Sequence, residues 1–218
     1  MELNLDAPTS EVTEGGSSEI AVTQPSGVTV PERDILRQDC WTQALYAFGT
    51  AAIFERRAQI LGRRLKGLAF LGIAVPLTIG GVVRSFSGAL QYLEFALWIA
   101  GLASLAQLIL TAWSLINRWQ DHHAYALASM VDNHKIAQKY EHLGKNPPGH
   151  LTEFKFRQEL LNAESSTCDS LDYQQELSDK ERRRGMRVAL RQYQLPCAGC
   201  REVPKSLKAT NCDVCGQF

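Results

Sequence analysis

Four cysteines crowd into the last 22 residues of this 218-residue chain: Cys197 and Cys200, then Cys212 and Cys215. The pattern is Cys-x2-Cys-x11-Cys-x2-Cys. Each Cys-x2-Cys turn brings two thiolates to one side of a tight knuckle, and two knuckles complete a tetrahedral Zn²⁺ shell. The spacing therefore predicts that Cys197, Cys200, Cys212 and Cys215 ligate a structural Zn²⁺. Gly199 and Gly216 suit the bends, because glycine tolerates positive φ. A redox dithiol would need its Cys-x2-Cys beside a βαβ pattern, which this sequence lacks, and disulfides fit poorly with a reducing cytosol. Four sulfurs close the shell and leave no open position for catalysis. The segment 194–218 is too short for a core of its own, and a structural zinc contributes about 10–16 kcal/mol to folding such pieces. Its loop mixes Arg201, Lys205 and Lys208 with Glu202, so nucleic acid as a partner lacks the support of a basic face. The other two cysteines, Cys40 and Cys168, are isolated and read as ordinary thiols.

The elements that must position this module are dominated by two apolar runs. Gly67 to Val83 holds 17 residues without a charge, and Phe95 to Asn117 holds 23. A membrane helix needs about 20 mainly apolar residues, with about 17 the practical minimum. The runs predict a transmembrane helical hairpin with spans 67–83 and 95–117. The competing reading is a buried hairpin inside a soluble protein; the second run has no polar face, and the first is short and contains Pro76. The break between them, Arg84 to Glu94, is 11 residues long and too short for an outside domain. Arg56, Arg57, Arg63, Arg64 and Lys66 precede the first span, and Arg118, Lys135 and Lys139 follow the second, whereas the break carries only Arg84. The positive-inside rule places both termini in the cytosol.

Bulk composition agrees with a small membrane protein carrying a cytosolic part. There are 23 basic and 23 acidic side chains, and the zero net charge favours no class of partner. The mean hydropathy of −0.17 averages the apolar runs with polar flanks. Met1 to Glu32 has six acidic residues, no Lys or Arg, and no apolar core that would read as a secretory signal. It sustains no period and is expected to be a disordered acidic tail.

Between tail and ribbon the chain reads as helix. A helix starts at Pro31 and carries Trp41, Leu45, Phe48, Ala52, Phe54, Ala58, Leu61 and Leu65 on an apolar stripe that runs on into the first span. Gly49 inside it marks a close helix contact, and the basic residues that end it suit either anionic headgroups or a solvated face. Arg118 to Leu143 forms another helix, with Leu127, Met130, Val131, Ile136, Ala137 and Tyr140 as its stripe. Its histidines lack metal-ligand spacing. After the loop Gly144 to Gly149, a helix covers Leu151 to Asn162, and 163–172 is less periodic. Ser178 and Glu181 form a capping box that opens a basic helix with Arg182, Arg183, Arg184, Arg187 and Arg191. That helix reads as a solvated face, or as a contact for nucleic acid or lipid. No phosphate loop, nucleophile elbow or paired-carboxylate arrangement marks an enzyme.

These residues carry a resemblance. The segment Asp39-Cys-Trp-Thr-Gln-Ala-Leu-Tyr-Ala-Phe-Gly-Thr, followed by Ile53-Phe-Glu-Arg-Arg-Ala58 and a tight two-span hairpin, resembles the SLATT superfamily of bacterial conflict systems. The terminal cysteine spacing resembles its mobilome CxxCx(11)CxxC subgroup. The resemblance covers roughly Ile35 to Phe218 and implies a division into the tail 1–32, a SLATT-like helical domain 33–143, a cytosolic helical segment 144–193 and the zinc ribbon 194–218. It implies a membrane effector of a mobile element or antiphage defence system, triggered by a nucleotide or a cytosolic protein, that homo-oligomerises and breaches the bilayer as a pore. No residue identifies a ligand site. Gly72, Pro76 and Gly80 on one span, Ala96, Ala100 and Ser104 on the other, permit close helix packing. Gln107 is either interhelical glue or the lining of a polar path. The alternative function is a membrane-anchored adaptor that docks a protein or nucleic acid through the ribbon and the basic helix.

Overall fold

A computed structural model describes residues 22–23, 29–85 and 90–218. Two short strands, β1 (Val22–Thr23) and β2 (Thr29–Val30), pair antiparallel with Val22 opposite Val30. The rest of the expected acidic tail lies outside the described residues. Five helices follow: α1 (Glu32–Ser85), α2 (Leu90–Ile116), α3 (Trp119–Lys145), α4 (Leu151–Tyr173) and α5 (Asp179–Tyr193). An irregular segment then carries the chain to Phe218.

Helix α1 is 54 residues long, about 80 Å at 1.5 Å per residue, and carries the first apolar run without a break despite Pro76. Acidic Glu32 and Asp34 in its first turn complement the positive end of the helix dipole. Helix α2 doubles back along α1, bringing the Gln107 side chain against Gly72. The helices reach into the expected break from both sides, to Ser85 and from Leu90, and 86–89 lie outside the described residues. Counting apolar runs stops at a charge; helical geometry does not. Between α2 and α3, Arg118 takes a left-handed conformation (φ 49°) and pairs with Asp121 at 2.8 Å.

The core lies in the 32–66 half of α1. Helix α3 runs antiparallel to it, with Trp41 beside Gly144 and Gly62 beside His123. Cys40, Ala44, Ala47, Ile136, Ala137, Tyr140, Leu143 and Phe154 form the largest buried cluster. Phe54, Ala58 and Ala126 form another. The buried arc of α1 is wider than the expected stripe: Cys40, Ala44, Ala47, Ala51 and Ile53 are buried along with Leu45, Phe54 and Ala58. The cause is that α1 is contacted on two sides, by α3 and by α5. Burial, with Asp39 adding to it, pushes the Cys40 thiol up to about 11, which keeps it protonated and inert.

The face of α3 also departs from its apolar pattern. Leu127 and Val131 are exposed, whereas polar Ser129 and Asn133 are buried. They face Asp172 of α4, itself buried. Ser129 Oγ and Tyr125 Oη each donate to Asp172 Oδ1 at 2.6 Å, and Asn133 Nδ2 donates to Oδ2 at 2.7 Å. A buried carboxylate needs such donors, and this set fixes the register of α4 on α3. It also explains why α4 continues helical through 163–172, where apolar periodicity fades.

Helix α5 crosses α1 where two glycines meet. A Cβ on Gly185 would lie 2.7 Å from the Gly49 carbonyl oxygen and 2.7 Å from Ile53 Cγ1, whereas one on Gly49 would sit at an ordinary 3.4 Å. Below the crossing, Arg57 pairs in a fork with Glu181, Nε to Oε1 at 2.6 Å and Nη2 to Oε2 at 2.8 Å. Arg57 also donates to the carbonyls of Gln175 and Glu176. Glu181 completes the expected capping box with Ser178.

Gly185→Ala is expected to lower unfolding stability by about 1–3 kcal/mol through overpacking, despite the better helix propensity of alanine, with Gly49→Ala nearly neutral. Chemical denaturation of the purified chain measures the contrast. The Arg57 hydrogen bonds hold the Glu181 carboxyl at about 2, well below its ordinary 4.5. A depressed folded-state value means that this clamp stabilises fully above 4.5 and is lost as the pH falls towards 2. Glu181→Gln should flatten that part of the stability–pH curve.

Candidate metal centre

Helix α5 ends at Gln194, which adopts a left-handed conformation (φ 53°) and donates its N–H to the carbonyls of Arg191 and Leu190. Leu195 N–H donates to the Leu190 carbonyl, and the chain turns into the first cysteine knuckle. The two knuckles close alike. Arg201 N–H donates to the Cys197 carbonyl at 2.7 Å, and Gly216 N–H donates to the Cys212 carbonyl at 2.8 Å. Cys197 N–H to the Glu202 carbonyl and Gln217 N–H to the Thr210 carbonyl tie each knuckle to the strand of loop beside it.

The glycines serve differently from the expectation. Positive φ falls on Arg201 (59°) and Gln217 (39°), not on Gly199 or Gly216. Close approach is what requires glycine here. A Cβ on Gly199 would sit 2.8 Å from Val214 Cγ2, and one on Gly216 would run into the Thr210 carbonyl.

The four cysteines come together. Their Sγ atoms all lie within 4.8 Å of one another, with Cys197 to Cys212 and Cys200 to Cys215 each 3.9 Å apart, and none forms a disulfide. A tetrahedron with metal–sulfur bonds of about 2.3 Å has edges near 3.8 Å, so the cluster fits a metal ion. Among the described residues, no other group of three or more His, Cys, Asp or Glu side chains gathers in this way. Cys197 and Cys215 are buried against Leu45 of α1 and Ala189 and Leu190 of α5, while Cys200 faces solvent. Backbone N–H groups of Cys215 and Val214 donate to the Cys212 sulfur and pull its pKa below the ordinary thiol value. Burial pushes the Cys215 thiol the other way.

The basic helix is not simply a solvated face. Arg187 is buried and turned into the module: Nε donates to the Ser206 carbonyl at 2.7 Å, and Nη1 donates to Thr210 Oγ1 and the Cys215 carbonyl, both at 3.2 Å. Nη1 also lies 3.7 Å from Cys215 Sγ. Arg183 donates to Gln217 Oε1 at 3.2 Å, and Arg184 covers the Phe218 ring. Arg182 and Arg191 point outward. Charge counting treats these five arginines alike, and nothing local in the sequence singles out Arg187.

No curated protein and no solved structure gives a match. The family described as Mobilome CxxCx(11)CxxC protein matches residues 37–218, which runs from the first turns of α1 through both knuckles to the last residue. The chain belongs to the mobilome CxxCx(11)CxxC family.

Proposed function

We propose that this protein is a SLATT-type, membrane-embedded effector of a bacterial mobile element or defence system, spanning the inner membrane twice with both ends cytosolic. In this reading it oligomerises when triggered from the cytosol and permeabilises the bilayer, without enzymatic chemistry. The observation that carries the membrane part is the stretch Leu97–Ile116, with mean hydropathy 1.8 and only 6% of it buried. A core helix of a soluble protein would hide such a surface; this one presents Trp98, Leu102, Leu105, Leu108 and Ile109 outward. Among the described residues it is the one stretch long and apolar enough by itself.

Two further features support the hairpin. Lys66 and Arg84 bracket about 27 Å of α1, and Trp98 and Trp113, both exposed, stand about 22 Å apart along α2. These spacings suit a hydrocarbon layer about 30 Å thick with aromatic residues at its edges. The contact of Gln107 with Gly72 places an amide between the two runs, which suits an interhelical hydrogen bond in lipid and, in an oligomer, a polar lining. The metal is Zn²⁺ in this reading: four cysteine sulfurs at tetrahedral spacing suit it, and a closed sulfur shell makes it structural. Cys197, Cys200, Cys212 and Cys215 would hold it. The adaptor alternative retains the ribbon as its docking surface, but Arg187 is buried and Arg183 and Arg184 are engaged with Gln217 and Phe218, which leaves Arg182 and Arg191 as the outward arginines of its basic helix.

The protein is expected to stay with membranes until detergent is added, and recovery in the soluble fraction would overturn the membrane reading. In liposomes, ion conductance by the wild type that is lost in Gln107→Leu supports the effector. Recruitment of a soluble partner that is lost in Cys197→Ser, with no leak, supports the adaptor. The purified chain should carry one zinc per molecule by elemental analysis. Cys197→Ser or Cys215→Ser should abolish binding, and chelation should expose the 194–218 segment to protease.

A further inference from the structure

Among the described residues, the one buried cation that the module takes from outside itself is Arg187, which is 6% exposed. Every acceptor around its guanidinium belongs to the module: the carbonyls of Ser206 and Cys215, the hydroxyl of Thr210 and the sulfur of Cys215. No carboxylate among the described residues pairs with it. A buried guanidinium surrounded only by neutral dipoles is unusual, because a desolvated charge is ordinarily met by an opposite one. The opposite charge is available in the chemistry of the ligands. Four thiolates around a dication leave a net charge of about −2, and one of those sulfurs lies 3.7 Å from Arg187 Nη1.

Arg187 also stands between the centre and the rest of the fold. Two residues before it on α5, Gly185 is pressed against Gly49 and Ile53 of α1. Two and three residues after it, Ala189 and Leu190 pack with Cys197, Cys215 and Leu45. The sulfurs, α5 and the cytosolic half of α1 are therefore one contiguous packed unit, with the guanidinium as its charged member.

We propose that Arg187 is the counter-charge of the four-thiolate centre and the coupling through which a bound metal fixes α5 against α1. With the metal in place, the N–H···S contact is a charge-assisted bond and the guanidinium is compensated. Without the metal, Arg187 stays buried with dipoles alone, and separation of the module from α5 relieves it. Metal occupancy is thus read by the helix that continues into the first apolar run. This inference rests on the metal reading of the four cysteines.

The test uses the full chain in detergent, with Zn²⁺ affinity measured by competition with a chromophoric chelator. Arg187→Met should weaken binding by about 10- to 100-fold, the range typical of residues that support metal ligands, and Arg187→Lys should recover part of the loss. In the Co²⁺-loaded protein, the thiolate-to-metal charge-transfer band should shift in Arg187→Met and move back in Arg187→Lys, a change that a purely structural role would not produce. Chelation of the wild type should speed amide hydrogen exchange in 179–193 while the α3 amides around Ile136 stay protected. This last measurement decides the coupling even if Arg187→Met fails to fold. Zinc binding by Arg187→Met within twofold of wild type, or unchanged exchange in α5 on chelation, overturns the proposal alone. A wild type that binds neither Zn²⁺ nor Co²⁺ overturns the metal reading with it.

Discussion

The contact on which the rest of the molecule depends is the backbone-to-backbone crossing of α5 over α1. With no side chain on Gly185, the helix settles directly on the Gly49 carbonyl and the Ile53 side chain. That proximity brings Ala189 and Leu190 onto Leu45, and it brings Cys197 and Cys215 under cover with them. Without it the module would have no surface to sit on, since its own residues are too few to form a core. The fork from Arg57 to Glu181 holds the start of α5 and the contacts of Arg187 hold its middle, so the crossing is pinned on both sides.

Helix α1 is shared by two assemblies of different physics. Its first half packs small residues and polar caps in the manner of a soluble bundle, with Ala44, Ala47 and Ala51 admitting neighbours closely. Its second half packs against α2 through Gly72 and leaves Phe70, Ile73 and Leu77 outward. The change comes near Lys66, where the charged residues end. The Tyr125, Ser129, Asn133 and Asp172 cluster lies on the polar side of that change, and it keeps α4 aligned without large apolar side chains.

How much of this was legible in the sequence follows from how local each feature is. The cysteine knuckles were legible because their ligands are close neighbours within 19 residues of chain. The capping box at Ser178 was legible for the same reason, as were the apolar runs; at Gly49 only the need for a close contact showed, because its partner Gly185 lies far along the chain. The partners of Asp172 lie 39 to 47 residues away, and polar residues at those positions carry no period of their own. The apolar rule therefore chose Leu127 and Val131 for the inner face of α3, where Ser129 and Asn133 stand. Arg187 reaches acceptors 19 to 28 residues downstream, and only the turn of α5 on its axis separates it from outward-facing Arg182 and Arg191. The module glycines were recognised as needed for a reason that belongs to their neighbours Arg201 and Gln217 instead.

The unbroken course of α1 makes it a stiff rod rather than two hinged pieces. Gly49 and Gly72 lie on one helix about 35 Å apart, and an α-helix of that length bends only gently. A roll of the rod about its axis at the α5 crossing therefore turns the Gly72 face by nearly the same angle, with no intervening loop to absorb it. Gln107 leans on that face from α2. A twist of α1 at the α5 crossing would thus reach the Gln107 amide through the stiffness of a single helix.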